Sequence, residues 1–245
     1  MSPRTDRYAG CLCLLVLAGC AERIPFERES SLSPLPEAAY IEAARSGAMV
    51  YRVLPEESLL LIRVGRAGKM ANLGHDHAVA SEDLQGYIEI AEDRSASHAD
   101  VVMPLKSLIV DQAEYRERLS LDSSPSPDDI AGTYSNMRRM LDAEQFPWVH
   151  AEVRFVSPQS TPPEVAAAIT LHGLTMQFLV PVQLDITASQ LTVRGLLSLT
   201  QSEFGLTPFS SAGGLLRVAD ELQIEFTLAG IRVSEPAARN QDRMP

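Results

Sequence analysis

Beyond residue 20 this sequence contains no cysteine. The three cysteines of the 245-residue chain are Cys11, Cys13 and Cys20. Residues 21–245 therefore cannot hold a disulfide, a cysteine-ligated metal or a cysteine nucleophile. Their stability has to come from a hydrophobic core, and a chain of this length can bury a large one.

The chain also lacks a surplus of basic residues. Its 21 Lys and Arg face 32 Asp and Glu, which gives a net charge of −11 at pH 7. Nucleic-acid binding takes most of its affinity from a basic surface, so nucleic acid is not expected as a partner. The same acidic balance argues against a polybasic attachment to anionic lipid.

No apolar run reaches the roughly 20 residues that a membrane-spanning helix needs. The run at residues 11–19 follows two arginines and ends in Leu17-Ala18-Gly19-Cys20, which resembles the bacterial lipobox. That resemblance implies export, cleavage of residues 1–19 as a lipoprotein signal peptide, and a lipid anchor on Cys20. Ala21, in place of Asp, favours a periplasmic protein at the outer membrane. The alternative is an ordinary signal peptide whose cysteines are incidental.

The composition then divides the rest of the chain into three parts. Residues 20–48 contain several Pro, Ser and charged residues, which is typical of a tether or linker, and 37–45 have the pattern of a short helix. Residues 49–233 form the expected globular domain. Residues 234–245 are expected to be a flexible tail.

Alternation of apolar and polar residues with period two dominates the domain, as in antiparallel strands with one buried face. The clearest runs lie at 59–64, 84–90, 149–155, 165–171, 177–186, 191–199 and 222–228. About eight such strands would leave unpaired edges unless the sheet closes, so the pattern predicts an all-β, antiparallel barrel. A two-sheet sandwich is the structural alternative.

One mid-chain segment has a helical pattern instead. Ser126 has the properties of a helix cap, Pro127 suits the first helical position, and apolar residues then recur at helical spacing. We expect a helix over about 127–143 and a shorter one over 113–119. These helices could cover one end or side of a barrel.

The histidines of Gly74-His75-Asp76-His77 are the sharpest local signal for chemistry. In an extended strand His75 and His77 would share one face. Three interpretations stay open: a structural pair held by a carboxylate or carbonyl, a metal or haem site completed by another ligand, and contact with an organic ligand. The sequence contains no G-x-S-x-G, H-E-x-x-H or P-loop motif, so an enzyme is not expected.

The segment from Gln201 to Asp220 is the second signal. It combines three glycines with apolar residues, among them Phe204 and Phe209, in a loop-like stretch. The segment is either a ligand-facing loop at the mouth of the barrel or an ordered crossover that plugs it.

From about Tyr51 to Arg232 the chain resembles the YceI family of lipid- or polyisoprenoid-binding periplasmic proteins. The resemblance rests on the order and spacing of short segments, which are 51–55 (YRVLP), 86–88 (GYI), 107–111 (SLIVD), Arg138-Arg139 before Leu141, 145–147 (QFP), 168–175 (AITLHGLT) and 201–206 (QSEFGL). The chain departs from the family in its Gly-His-Asp-His sequence, in Gln201 and in an insertion at 120–129. It therefore resembles a divergent branch.

The resemblance implies a lipocalin-like barrel of eight antiparallel strands around an apolar tunnel that holds a polyisoprenoid or another long amphiphile. No cofactor is expected. The alternative is a haem- or metal-binding redox accessory protein that uses His75 and His77. The sequence indicates no oligomeric state. The candidate tunnel-lining residues are Ile62, Val64, His75, His77, Ile88, Val153, Phe155, Ile169, Val182, Leu197, Phe204, Phe209 and Phe226.

Overall fold

The structure, a computed structural model, describes residues 35–233 apart from the side chain of Ala212. The predicted signal peptide, Cys20 and the predicted tail at 234–245 lie outside the described residues. Within residues 35–233, none of the helices has the length and apolar character needed to cross a bilayer.

Twelve strands and three α-helices make up this span. The helices are α1 (Glu37–Arg45), α2 (Ala113–Arg118) and α3 (Pro127–Met140). The strands are β1 (Met49–Val53), β2 (Leu59–Ala67), β3 (His77–Ser81), β4 (Gln85–Ile90), β5 (His98–Pro104), β6 (Ile109–Val110), β7 (Trp148–Ser157), β8 (Glu164–Leu171), β9 (Leu174–Ile186), β10 (Gln190–Thr200), β11 (Ser210–Ser211) and β12 (Leu216–Arg232).

The sheet closes into an eight-stranded antiparallel barrel, which confirms the predicted fold class. The ring runs β1-β4-β5-β7-β8-β9-β10-β12 and closes where β1 pairs with the end of β12. After short interruptions β2 continues β1, β4 continues β3 and β6 continues β5, so the chain follows an up-and-down path throughout.

The interruption between β1 and β2 shows how the barrel tolerates such breaks. A 3-10 turn at Pro55–Glu57 removes the chain from the ladder, and Ser58 reconnects it. The Ser58 hydroxyl donates to the carbonyl of Leu54 at 2.7 Å and accepts from the N–H of Ala229 on β12 at 3.0 Å. The backbone groups released by the break are thereby satisfied, as buried polar groups must be.

Helix α3 spans the place where the barrel wall is incomplete. Strands β5 and β7 pair only as far as Pro104 and Trp148, after which the chain crosses to pair β6 with β3. Helices α2 and α3 lie between β6 and β7 in the chain. A capping box between Ser126 and Asp129 starts α3. Its apolar side packs against the core through Ile130, Tyr134, Met137 and the following Leu141. The two predicted mid-chain helices are thus present at nearly the predicted bounds.

Helix α1 packs outside the barrel. Its Tyr40 is buried with Val50 of β1 and Tyr87 of β4, and the two tyrosine rings stack with centroids 5.3 Å apart. The Tyr40 hydroxyl donates to Asp100 on β5 at 2.7 Å. Residues 37–45, within the segment expected to be linker, are therefore packed against the domain.

The two ends of the barrel differ in the residues that they carry. The His77 end is the one at which β3 and β7 begin and β2 and β10 end. The Met49 end is the opposite one, where β1 and β5 begin. Two apolar clusters lie inside the barrel, and some residues pack against both, among them Ile62, Val149 and Val193. The core is therefore continuous along the barrel.

Candidate functional site

A cavity of about 390 Å³ lies inside the barrel. Its wall comes from the inward faces of the strands and from α3, and most of its residues are Leu, Ile, Val, Ala, Met or Phe. The polar residues on the wall are His77, Glu89, Ser97, His98, Thr133, Asn136, Arg154 and Gln201. The interior of the barrel is therefore an apolar enclosure with a few polar positions.

Most of the candidate residues border this cavity. The candidates that border it are Ile62, Val64, His77, Ile88, Val153, Phe155, Ile169, Val182, Leu197, Phe209 and Phe226. Their alternation along the strands made the inward face recognisable. That these side chains contact a ligand stays a prediction.

Two candidates, His75 and Phe204, lie away from the wall. His75 precedes β3, so it does not share the inward strand face of His77, although the two rings meet edge to face with centroids 4.6 Å apart. The 3-10 turn at Gln201–Phe204 buries Phe204 completely. There its ring stacks on Phe178, and its carbonyl lies 3.2 Å from Nδ1 of His172.

The segment 201–220 combines both of the alternatives considered for it. Its first part is an ordered plug at the His77 end, because Phe204 and Leu206 are buried in the core. Gly205 allows the turn between them, because its backbone φ of 68° is one that residues with a side chain rarely adopt. Further along, Phe209 borders the cavity. Phe204 thus helps to close the barrel, whereas Phe209 lines the cavity.

Helix α3 forms part of the cavity wall itself, which goes beyond the expected cover over one end or side of the barrel. Thr133, Asn136, Met137 and Met140 border the cavity beside the strands. The helical spacing of the apolar residues was the available signal, but it could not show that α3 fills a gap between β6 and β7. The two polar residues carry no sequence signal that marks them as lining.

His77 is held in place by a buried carboxylate. Its Nδ1 lies 2.6 Å from Oδ2 of Asp111, which follows β6. The other carboxylate oxygen accepts from the N–H of Ala78 at 2.9 Å and from the guanidinium of Arg116 on α2. Asp111 is fully buried and the Arg116 side chain is 6% exposed. This network joins β3, β6 and α2 behind His77.

The electrostatics of the network favour an ionised Asp111 and a neutral His75. Burial alone would raise the pKa of Asp111, but hydrogen bonds from His77, Ala78 and Arg116 outweigh it and hold the pKa below its ordinary value. Burial, followed by the nearby His77 ring, lowers the pKa of His75. The Nε2 atom of His75 is shielded from solvent and has no hydrogen-bond partner among the described residues.

His75, His77 and Asp111 are close enough together to be considered as metal ligands. However, the 2.6 Å between His77 Nδ1 and Asp111 Oδ2 is a hydrogen-bond distance, and it is shorter than the spacing of two donors about 2.0–2.2 Å from one ion. Arg116 beside Asp111 already neutralises the carboxylate. The arrangement is therefore better described as an oriented histidine than as a three-ligand metal site.

A second group of this kind lies on the outer face of the barrel, away from the cavity. Asp100 bonds both Tyr40 and Nε2 of His150, the latter at 3.1 Å, with Glu152 nearby. Asp100 thus joins α1 to β5 and β7, which gives the cluster a structural role.

Comparison with known proteins agrees with this architecture. Residues 51–229 match the family model described as the YceI-like domain. The chain belongs to the YceI-like domain family. No curated protein matches it.

Solved structures similar to this YceI-like chain share little sequence with it. A polyisoprenoid binding domain from Saccharophagus degradans, implicated in plant cell wall breakdown, has a TM-score of 0.51 at 15% identity, over 76% of this chain and 99% of its own. BcnA of Burkholderia cenocepacia has a TM-score of 0.48 at 16% identity, over 72% and 98%. The YCEI protein of Campylobacter jejuni has a TM-score of 0.44 at 11% identity, over 62% and 82%. At such identities the likeness to the Saccharophagus domain shows the fold alone.

Proposed function

We propose that this protein is a non-enzymatic binding protein that holds a polyisoprenoid or another long apolar amphiphile inside its barrel. The observation that carries the proposal is the apolar cavity of about 390 Å³ enclosed by the strands and α3. Ligand pockets commonly occupy about 300–1,000 Å³, and a few polar groups are enough to orient a bound molecule. The cavity has both properties.

The physical driving force is transfer of an apolar chain out of water. Each methylene that enters an apolar enclosure contributes about 0.8 kcal/mol. A wall of aliphatic and aromatic side chains offers no specific partner to the chain, so length and branching of the ligand matter more than its detailed structure. The polyisoprenoid binding named for the Saccharophagus domain is consistent with this chemistry.

A pair of alanine variants tests whether the cavity is the binding site. Ala167 of β8 borders the cavity, whereas the adjacent Ala168 lies on the opposite face of the strand, across from exposed Gln177. We expect Ala167→Trp to fill the cavity and to reduce binding of a fluorescent isoprenoid analogue at least tenfold. Ala168→Trp should bind as the wild type does.

Circular dichroism and urea unfolding of both variants ensure that the comparison is made between folded proteins. If the two variants bind equally well, the site lies outside the barrel. If the wild type binds no long apolar probe at all, the proposed function is wrong.

The proposal includes attachment to the outer membrane from the periplasmic side through lipid on Cys20. Its support is the lipobox-like sequence at residues 17–20. Two or more acyl chains would give a stable anchor, which one chain does not. We expect labelled palmitate to be incorporated into the wild type, which should fractionate with outer membranes. Cys20→Ser should lose both properties, and a variant that remains labelled and membrane-bound would contradict the anchor.

A further inference from the structure

We propose that His77 binds the head group of the cavity ligand and that this head group is a neutral hydroxyl. This inference rests on the proposed function, since it concerns the polar end of the same ligand. Its basis is the orientation that Asp111 imposes on the His77 ring, together with the pairing of the nearby cations.

His77 is located where an apolar chain would end. In the β2–β3 register it stands opposite Val64, and Val79 stands opposite Ile62. All four residues border the cavity, and β3 begins at His77. A chain that lies along this wall towards the His77 end therefore meets an imidazole as its first polar group.

The hydrogen bond to Asp111 determines what His77 offers to that ligand. An ionised carboxylate only accepts hydrogen bonds, so Nδ1 of His77 must be the donor across the 2.6 Å contact. In the neutral ring the other nitrogen, Nε2, then carries a lone pair and accepts a hydrogen bond. The edge of the His75 ring, with its centroid 4.6 Å away, restricts rotation of the His77 ring.

Helix α3 also contributes hydrogen-bond donors to the wall of the cavity. Asn136 accepts from Arg139 at 2.6 Å through Oδ1, which leaves the N–H groups of its amide for another partner. Thr133, one turn earlier, adds a hydroxyl. A ligand hydroxyl both donates and accepts, so it can donate to His77 and accept from α3 at once. A carbonyl, an ether or a phosphate ester without a proton can only accept.

Three cations in the His77 network or on the adjacent strand β2 are already paired, which argues against a phosphate. Arg116 pairs with Asp111, and both Arg63 and Arg66 lie 3.6 Å from Asp76. Binding of a phosphate draws on cations with free donors, and arginine usually supplies them in pairs.

Arg154 is the only basic residue, counting Arg and Lys, among the described residues that line the cavity. It pairs in register with His98, at the Met49 end of the barrel. The His77 end is therefore suited to an uncharged head group.

Three probes that share one tail separate the possibilities: farnesol, farnesyl methyl ether and farnesyl phosphate. Binding of each to the purified protein is measured by isothermal titration calorimetry. We expect farnesol to bind about tenfold more tightly than the ether, which corresponds to one hydrogen bond and its unsatisfied partner. Farnesyl phosphate should bind no better than the ether.

The variant His77→Phe keeps an aromatic ring and removes both nitrogens, so the preference for farnesol should disappear while the ether binds as before. The matched control is His98→Phe, which changes a lining histidine at the other end, where the ring lies tilted against Tyr40 with centroids 5.4 Å apart. This control should retain the full preference. Asn136→Leu leaves Asp111 untouched and should reduce the preference for farnesol over the ether. This variant tests the head-group role if His77→Phe fails to fold.

The outcomes that overturn the inference differ from those that overturn the proposed function. Equal binding of farnesol and the ether to the wild type, or a preference that survives both His77→Phe and Asn136→Leu, refutes the head-group role but leaves the cavity function intact. Tightest binding of the phosphate, or stoichiometric Zn²⁺ that is lost in His77→Phe, also refutes it. Failure of every probe to bind refutes the proposed function itself.

Discussion

The ring of Phe226 occupies the space where Gly195 lacks a side chain. A Cβ at position 195 would lie 2.5 Å from Cζ of Phe226 and 2.8 Å from Cε1. The two residues are directly opposite in the β10–β12 register, and Phe226 borders the cavity. The glycine therefore sets the position of one aromatic wall of the cavity.

The substitution Gly195→Ala should displace that ring and change both stability and binding. Forcing a methyl group into a packed contact costs about 1–3 kcal/mol, so the urea midpoint should fall. A ring displaced inwards would also reduce uptake of long probes.

Gly132→Ala is the matched control for this glycine. A Cβ at Gly132 has no heavy atom within 4 Å, and the residue lies inside α3. Alanine there should stabilise the protein by about 0.5–1 kcal/mol, because glycine is a poor helix residue. If Gly195→Ala and Gly132→Ala have the same midpoint, the contact with Phe226 is not the constraint that we infer.

Asp111→Asn should be among the most damaging single changes in the barrel. The carboxylate is fully buried and holds His77, Ala78 and Arg116 together. An amide of the same shape leaves the Arg116 charge without its counter-charge, and breaking such a buried pair typically costs about 3–5 kcal/mol. Unfolding in urea, monitored by circular dichroism, measures the loss.

The exposed ion pair between Asp185 and Arg194 serves as the comparison. Its side chains are 76% and 51% exposed and lie 3.3 Å apart. Exposed pairs of this kind contribute little to stability, so Asp185→Asn should leave the urea midpoint nearly unchanged. A similar response to Asp111→Asn and Asp185→Asn would argue against the buried network.

The protein should lose stability in two stages as the pH falls. The pKa of His75 lies below its ordinary value of 6.5, so the unfolded chain takes up this proton more readily than the folded one. The contribution of His75 is therefore complete above pH 6.5 and is lost as the pH falls through the folded-state pKa. Asp111 and Asp100 also have lowered pKa values, and their contributions are present above about pH 3.9 and lost below it.

Urea midpoints measured across this pH range, for the wild type and His75→Gln, test the two stages. The variant should lose the first stage and keep the second. If the first loss of stability is equally large in His75→Gln, a group other than His75 causes it.

The cap of α3 contributes to the closure of the cavity wall. The Ser126 hydroxyl accepts from the N–H of Asp129 at 3.2 Å, and the Asp129 carboxylate accepts from Ser126 in return. Ser126→Ala should cost about 1 kcal/mol and increase hydrogen exchange of amides in the first turns of α3. Ser135, whose hydroxyl donates within the helix to Ala131, is the control position. Ser135→Ala should leave exchange at the helix start unchanged.

Much of the barrel could be predicted because the alternation of side chains along a half-buried strand is visible in the sequence. Ile62, Val153 and Phe226 were identified as inward-facing in this way, and they border the cavity. The breaks between strands could not be located, since residues such as Leu84 continue the apolar pattern through them. Leu84 lies between β3 and β4, yet it is buried.

The partnership of His77 with Asp111 was beyond what periodicity can predict. The two residues are 34 positions apart. Asp111 also has a backbone φ of 53°, which is uncommon for residues other than glycine. Hydrogen bonds with His77, Ala78 and Arg116 hold Asp111 in place, and the local sequence shows none of them. Phe204 and Phe209 show the same limit, because both are apolar loop residues and only the turn at Gln201–Phe204 separates the plug from the lining.

Native mass spectrometry of the full chain, purified gently from its own cells, tests the central claim most directly. We predict an adduct of one long apolar molecule per protein, which organic solvent extracts and which Ala167→Trp no longer carries while Ala168→Trp does. A folded wild-type protein without any lipid adduct, and with no uptake of added isoprenoid, would contradict the account.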